Sequence, residues 1–141
     1  SEVIADVDAV LLGRFTYVSH AQAFEPNRAE DPFGDSAHYV VSRTLTAPIW
    51  RNTTMIRDNI VESIRALKAQ PGKNILTDGS SQLTHLLFTH DLVDELRLYV
   101  FPLIVGGGKR LFPEGTMTSF SLVSSKPLPN GVLILHYARR A

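Results

Sequence analysis

An α/β fold, with a mostly parallel sheet closed by antiparallel strands at the C-terminal end, is predicted by three observations. Short apolar runs at residues 9–12, 38–42, 53–56 and 74–77 alternate with helix-length segments, the pattern of strand–helix–strand units. Most of these runs end in a small polar corner rather than a hairpin turn, as parallel strands with crossover connections require. The last third changes character: residues 96–101, 118–124 and 132–137 alternate apolar and polar positions, and Pro129-Asn130-Gly131 is a turn signal between the last two. Helices on both sides of such a sheet make a three-layer αβα sandwich.

Taken in order, residues 3–8 read as the end of a helix packing through Val3, Ile4 and Val7. Residues 9–12 form a buried central strand, broken by Gly13-Arg14-Phe15-Thr16-Tyr17, and Thr16 is placed to cap a short helix reaching residues 20–24. Residues 25–36 are rich in Pro, Asn, Asp and Gly and read as a surface loop. The run at 38–42 ends in Ser42-Arg43-Thr44. After a loop that holds Pro48 and Trp50, a packing residue, comes the strand 53–56. The clearest helix is 59–69: Asn59 and Glu62 have capping-box spacing, Ile60, Ile64 and Leu67 share one stripe, and Pro71-Gly72 stops it.

The unit from 73 to 113 organises the rest. Its strand at 74–77 breaks at Asp78-Gly79-Ser80-Ser81, and a helix follows with Leu83, Leu86 and Leu87 on one face. Ser80 or Ser81 is placed to cap that helix, and Asp78 reads as a turn residue. On spacing alone the corner reads first as a well-capped turn; a phosphate cradle is the other reading, because a helix start offers free N–H donors and partial positive charge. Asp94 and Glu95 read as a solvated face or as partners of Arg97. Gly106-Gly107-Gly108 closes the unit, either as a bend between strands or beside a ligand.

Composition excludes several classes. With 141 residues there is room for one domain with one core. Fourteen basic residues balance fourteen acidic ones, so nothing favours nucleic acid or an anionic membrane. Zero cysteines leave no disulfide, thiolate ligand or thiol nucleophile. His85 and His90, five apart on the expected helix, miss the spacing of a helical zinc pair. The start SEVIADVDAV carries acids where a secretion signal needs bases, and a cytoplasmic address is expected.

Gly13-Arg14-Phe15-Thr16, Ser42-Arg43-Thr44 and Gly79-Ser80-Ser81-Gln82 each follow a short strand. In an open parallel sheet such corners meet at the carboxyl edge, where ligands bind. Two arginines, several hydroxyls and a helix start suit a dinucleotide with an additional phosphate. Neither G-x-G-x-x-G nor G-x-x-x-x-G-K-[ST] is present.

The segments LLGRFTY, VVSRTL, ILTDGSSQL and LVDELRLYVFPLIVGGGKRLFP, in that order, resemble the dihydrofolate reductase-like family in the branch of the riboflavin-biosynthesis reductase domain. The likeness runs from residue 8 to 113, with a two-strand tail to 139. It implies one dihydrofolate reductase-like domain over 1–141, a homodimer, and NADPH as cofactor. Gly13, Arg14 and Thr16 would lie along the phosphates, and Ser42, Arg43 and Thr44 would hold the adenosine 2′-phosphate. Gly79, Ser80, Ser81 and Gln82 would set a helix start under the pyrophosphate, with Val105, Gly106 and Gly107 beside the cleft. The implied reaction is hydride transfer to a small pyrimidine, pterin or similar substrate, as in 5-amino-6-(5-phosphoribosylamino)uracil reductase. The family's opening strand, with its Ser-Leu-Asp-Gly-like segment, is not matched, so no catalytic residue is assigned. A nucleotide-binding or assembly domain without turnover is the alternative.

Overall fold

The computed structural model describes residues 7–33, 36–72, 74–77, 81–107, 112, 115 and 117–140. The fold is α/β and divides into two compact units, Ser1–Thr84 and His85–Ala141.

The first unit is built on a four-stranded parallel sheet. Its strands are β1 (Val7–Gly13), β2 (Ala37–Val41), β3 (Thr53–Ile56) and β4 (Asn74–Leu76), in the order β3-β2-β1-β4. β1 is interior because its sequence is apolar on both faces: Ala9 and Leu11 alternate with Val10 and Leu12, and all four are buried. Helix α1 (Arg14–Phe24) joins β1 to β2, and α2 (Ile60–Ala69) joins β3 to β4. The chain steps one way from β1 to β3 and then crosses back beyond β1. Right-handed crossovers therefore set α1 and α2 on opposite faces of the sheet. Val10, Leu12, Tyr17, Ala21, Phe33, Val40 and Trp50 form the core on the α1 side, while α2 buries Ile64 and Leu67.

Several local expectations are corrected. Val7 and Asp8 belong to β1, not to a helix. Thr16 is inside the first turn of α1 rather than its cap, because the chain already turns at Gly13, which occupies the N-cap position. Asn59 precedes α2 with φ 50° and makes no side-chain cap bond. Glu62 does not reach back to it; its carboxylate pairs with Arg65 one turn on at 3.0 Å. The loop at 25–36 contains a 3₁₀ turn, Arg28–Glu30, and buries Asp31 and Phe33. The expected helix end at residues 3–6, the corner residues Asp78, Gly79 and Ser80, and Gly108 lie outside the described residues.

Helix α3 (Ser81–Thr89) follows β4 and ends before His90, so His85 and His90 do not share a helix. Leu83, Leu87 and Phe88 are its buried positions. The second unit is a three-stranded antiparallel sheet, order β5-β7-β6, from β5 (Glu95–Val100), β6 (Phe120–Pro127) and β7 (Leu133–Arg139). The expected turn joins β6 to β7, with Gly131 at φ 87° and the Asn130 side chain accepting from Val132 N–H at 3.2 Å. Asp94 and Glu95 are exposed, as a solvated face requires, and Asp94 Oδ1 lies 3.8 Å from Arg139 Nε. Glu95 hydrogen-bonds His136 across the sheet at 2.7 Å. Arg139 donates to the Asp91 and Val93 carbonyls at 2.7 and 2.8 Å, tying β7 to the turn before β5. Among the described residues, no helix is long and apolar enough to cross a membrane.

Candidate functional site

Register decides what meets at the carboxyl edge of the parallel sheet. Gly13 pairs with Val41, and Val41 pairs with Ile56. The next residues, Arg14, Ser42 and Arg57, therefore leave their strands at the same level. β4 joins the other side of β1, with Leu76 opposite Val10. Strand order reverses between β1 and β4. In a parallel sheet, the strand ends beside such a reversal are the usual ligand position.

Gly13 brings no side chain to the corner, and its φ of −74° and ψ of 165° send the chain directly into α1. The first-turn N–H groups of α1 thus point at this edge without a side-chain cap, as an anion site requires. Arg14 is exposed and Thr16 half-buried.

At the β2 exit, Ser42 is buried. Its Oγ accepts from the N–H groups of Thr44 at 3.2 Å and Leu45 at 3.0 Å, and it lies 3.4 Å from the Thr44 hydroxyl. These bonds curl the backbone after β2. The Ser42 hydroxyl thereby shapes the corner, leaving Arg43 and Thr44 as its exposed members. Arg43 Nε donates to the Arg57 carbonyl at 3.3 Å, and Arg57 Nη2 donates to the Thr46 carbonyl at 3.2 Å. The β2 and β3 exits are laced together by two guanidinium groups.

Arg57 is the member that the sequence pattern does not single out. Its signal was present: Arg57-Asp58 follows a short strand as Arg14 and Ser42-Arg43 do, but the pair reads as the approach to α2. Asp58 is exposed on the same edge. Among the described residues, no ion pair joins Arg14, Arg43 or Arg57 to a carboxylate. Cations that keep their charge uncompensated at a strand edge are available to an anionic ligand.

Of the remaining expected site residues, Ser81 is the first residue of α3 and Gln82 is exposed in its first turn. Val105, Gly106 and Gly107 belong to the second unit and are exposed. Gly106 has φ 78°, and a Cβ built on Gly106 or Gly107 meets nothing within 4 Å.

The RibD C-terminal domain is matched over residues 1–134. The chain belongs to that family. Two proteins of Bacillus subtilis strain 168 are similar over nearly all of it. Uncharacterized protein YyaP is 30% identical over 147 positions, covering 97% of this chain and 77% of its own. Uncharacterized protein YwjB is 31% identical over 140 positions, covering 99% and 78%. Solved structures share the fold. A Shewanella sp. PV-4 protein provisionally assigned to riboflavin biosynthesis superposes with a TM-score of 0.81 at 24% identity, over 99% of this chain and 78% of that one. RibD of Acinetobacter baumannii gives 0.71 at 15%, over 99% and 49%. A pyrimidine reductase-like protein of Corynebacterium diphtheriae gives 0.63 at 14%, over 96% and 77%. The RibD C-terminal domain family is reductase-like, and a nicotinamide cofactor is what such a domain suggests.

Proposed function

We propose that the chain is an NADPH-dependent reductase that transfers hydride to a small pyrimidine, pterin or similar substrate, in the manner of 5-amino-6-(5-phosphoribosylamino)uracil reductase, and that it works as a cytoplasmic homodimer. The observation that carries the reading is the level exit of β1, β2 and β3, which sets Arg14, Arg43 and Arg57 on one edge with no carboxylate partner among the described residues. The residues fit the group. Guanidinium forks match phosphate oxygens, and the side-chain-free corner at Gly13 admits a close backbone approach to an anion.

Bound there, reduced nicotinamide supplies the hydride. The chain's residues bind and orient. Arg14 and the first turn of α1 take the pyrophosphate region. Thr44, Arg43 and Arg57 take the 2′-phosphate, and Ser42 keeps their loop curled.

The test pairs two measurements: calorimetric binding of NADPH, and its oxidation with a panel of aminopyrimidines and pterins. Binding with turnover supports the proposal. Binding without turnover on any of them favours a nucleotide-binding domain, and no binding removes both readings.

A further inference from the structure

The connection between β2 and β3, residues 42–52, carries the Ser42-Arg43-Thr44 corner at one end and Trp50 at the other. Trp50 is 3% exposed. Its indole lies on the His38 imidazole with ring centroids 3.8 Å apart and planes at 27°. His38 is fully buried in β2, and its Nδ1 lies 2.8 Å from the Arg51 carbonyl. A carbonyl only accepts, so Nδ1 holds the proton and Nε2 is left as an acceptor. Neither His38 Nε2 nor Trp50 Nε1 meets a hydrogen-bond partner. A second proton on the ring would go to Nε2, where no acceptor awaits it, and would place a charge in the core.

Among the described residues, the charged and titratable groups around this pair include Asp31, Glu25, Arg51 and His20. Asp31 accepts from Phe33 N–H at 2.9 Å and pairs with Arg51 at 3.2 Å. Glu25 accepts from the Arg51 N–H at 3.1 Å. His20 of α1 stacks on Trp50 at 6.2 Å. Burial works against charge on His38 and so does Arg51, while the Arg51 carbonyl, Asp31 and Glu25 favour it; burial dominates and holds His38 below the ordinary histidine range. A cation on an indole face gains less than an unpaired buried charge costs.

We propose that His38 is an acid-sensitive latch on residues 42–52: uncharged it seats Trp50, and charged it unseats Trp50 and loosens the corner that carries Arg43. The consequence for ligand binding rests on the phosphate reading of that corner; the latch does not.

Trp50 is the only tryptophan in the chain, so its emission reports the latch directly. Acidifying the full chain is expected to shift Trp50 emission to the red in a one-proton transition with its midpoint below pH 6.5, with far-UV circular dichroism unchanged. His38→Asn keeps a donor for the Arg51 carbonyl but does not ionise, and it should lose the transition, whereas His20→Gln should keep it. A midpoint at or above 6.5, loss of the helical signal at the same pH, persistence in His38→Asn or loss in His20→Gln would each overturn the latch. Should His38→Asn fail to fold, the proton NMR titration of His38 in the wild type decides: its midpoint must coincide with that of the emission, and a different one overturns the latch. Below the midpoint of that transition, NADPH affinity should fall about tenfold per pH unit as the folded state takes up the proton. An intact emission transition in a protein that binds no NADPH at neutral pH supports the latch and overturns the phosphate reading instead.

Discussion

Tyr17 is fully buried, and its hydroxyl meets three polar partners. It accepts from the N–H groups of Ile49 at 3.1 Å and Trp50 at 3.0 Å, and it lies 2.8 Å from Thr53 Oγ1. Thr53 gives its own proton to the Trp50 carbonyl at 2.6 Å, so Tyr17 is the donor between the two hydroxyls. One side chain of α1 thereby fixes the far end of the connection that begins at Ser42. Tyr17→Phe leaves buried N–H groups unpaired and should cost about 1–3 kcal/mol of stability in urea unfolding; an unchanged midpoint would deny it that role. Arg43→Ala should weaken NADPH about tenfold or more and NADH little, since a guanidinium–phosphate contact is charge-assisted and only NADPH carries the 2′-phosphate. Equal weakening in calorimetry would remove Arg43 from that position. Arg14 and Arg43 were legible because each follows an apolar run into a corner. Arg57 was not, because one carboxylate and a helix lead-in disguise the same pattern. The role of the Ser42 hydroxyl inside its loop was hidden as well, since residue type does not reveal which way a short polar side chain turns.

Elements were legible where the apolar pattern is strong and illegible where a cap decides. β1, β2, β3 and α2 stand close to where their periodicity puts them, because burial of β1 on both faces leaves no other arrangement. The starts of α1 and α2 were misread for separate reasons. Gly13 already permits the turn that Thr16 was expected to make, and Glu62 finds Arg65 instead of the backbone before Asn59. α2 stops at Gln70, which is already extended, and the turn beyond it passes through Gly72, which has φ 151° and whose missing Cβ would stand 2.7 Å from Asp8 Oδ2. Gly72→Ala should therefore destabilise the chain by about 1–3 kcal/mol through backbone strain and displacement of Asp8; thermal unfolding reads it, and an unchanged midpoint would show that the turn tolerates a Cβ at residue 72.

Across the whole molecule, the alternation of short strands with helices gave the α/β class, and the change of period gave the antiparallel end. What the local pattern did not carry is the sheet to which β5 belongs. Its partner in register is β7, with Glu95 opposite Ala138 and Val100 opposite Leu133, and pairing at that sequence distance leaves no mark on either strand alone. Acid response also belongs to this scale. His38 is held below its ordinary value of 6.5 by burial, so the unfolded chain binds its proton first as pH falls. The stability due to neutral His38 is thus complete above about pH 6.5 and declines below it, down to the folded value. Urea midpoints measured downward from pH 7.5 should fall below that point in the wild type, and a flat profile would show that His38 does not titrate with folding. The account as a whole stands on one edge of one sheet. Its most direct measurement is a crystal structure of the chain grown with NADPH. The phosphates are predicted at the exits of β1, β2 and β3, with the 2′-phosphate against Arg43 and Arg57. Cofactor bound elsewhere, or an empty edge at saturating NADPH, would contradict it.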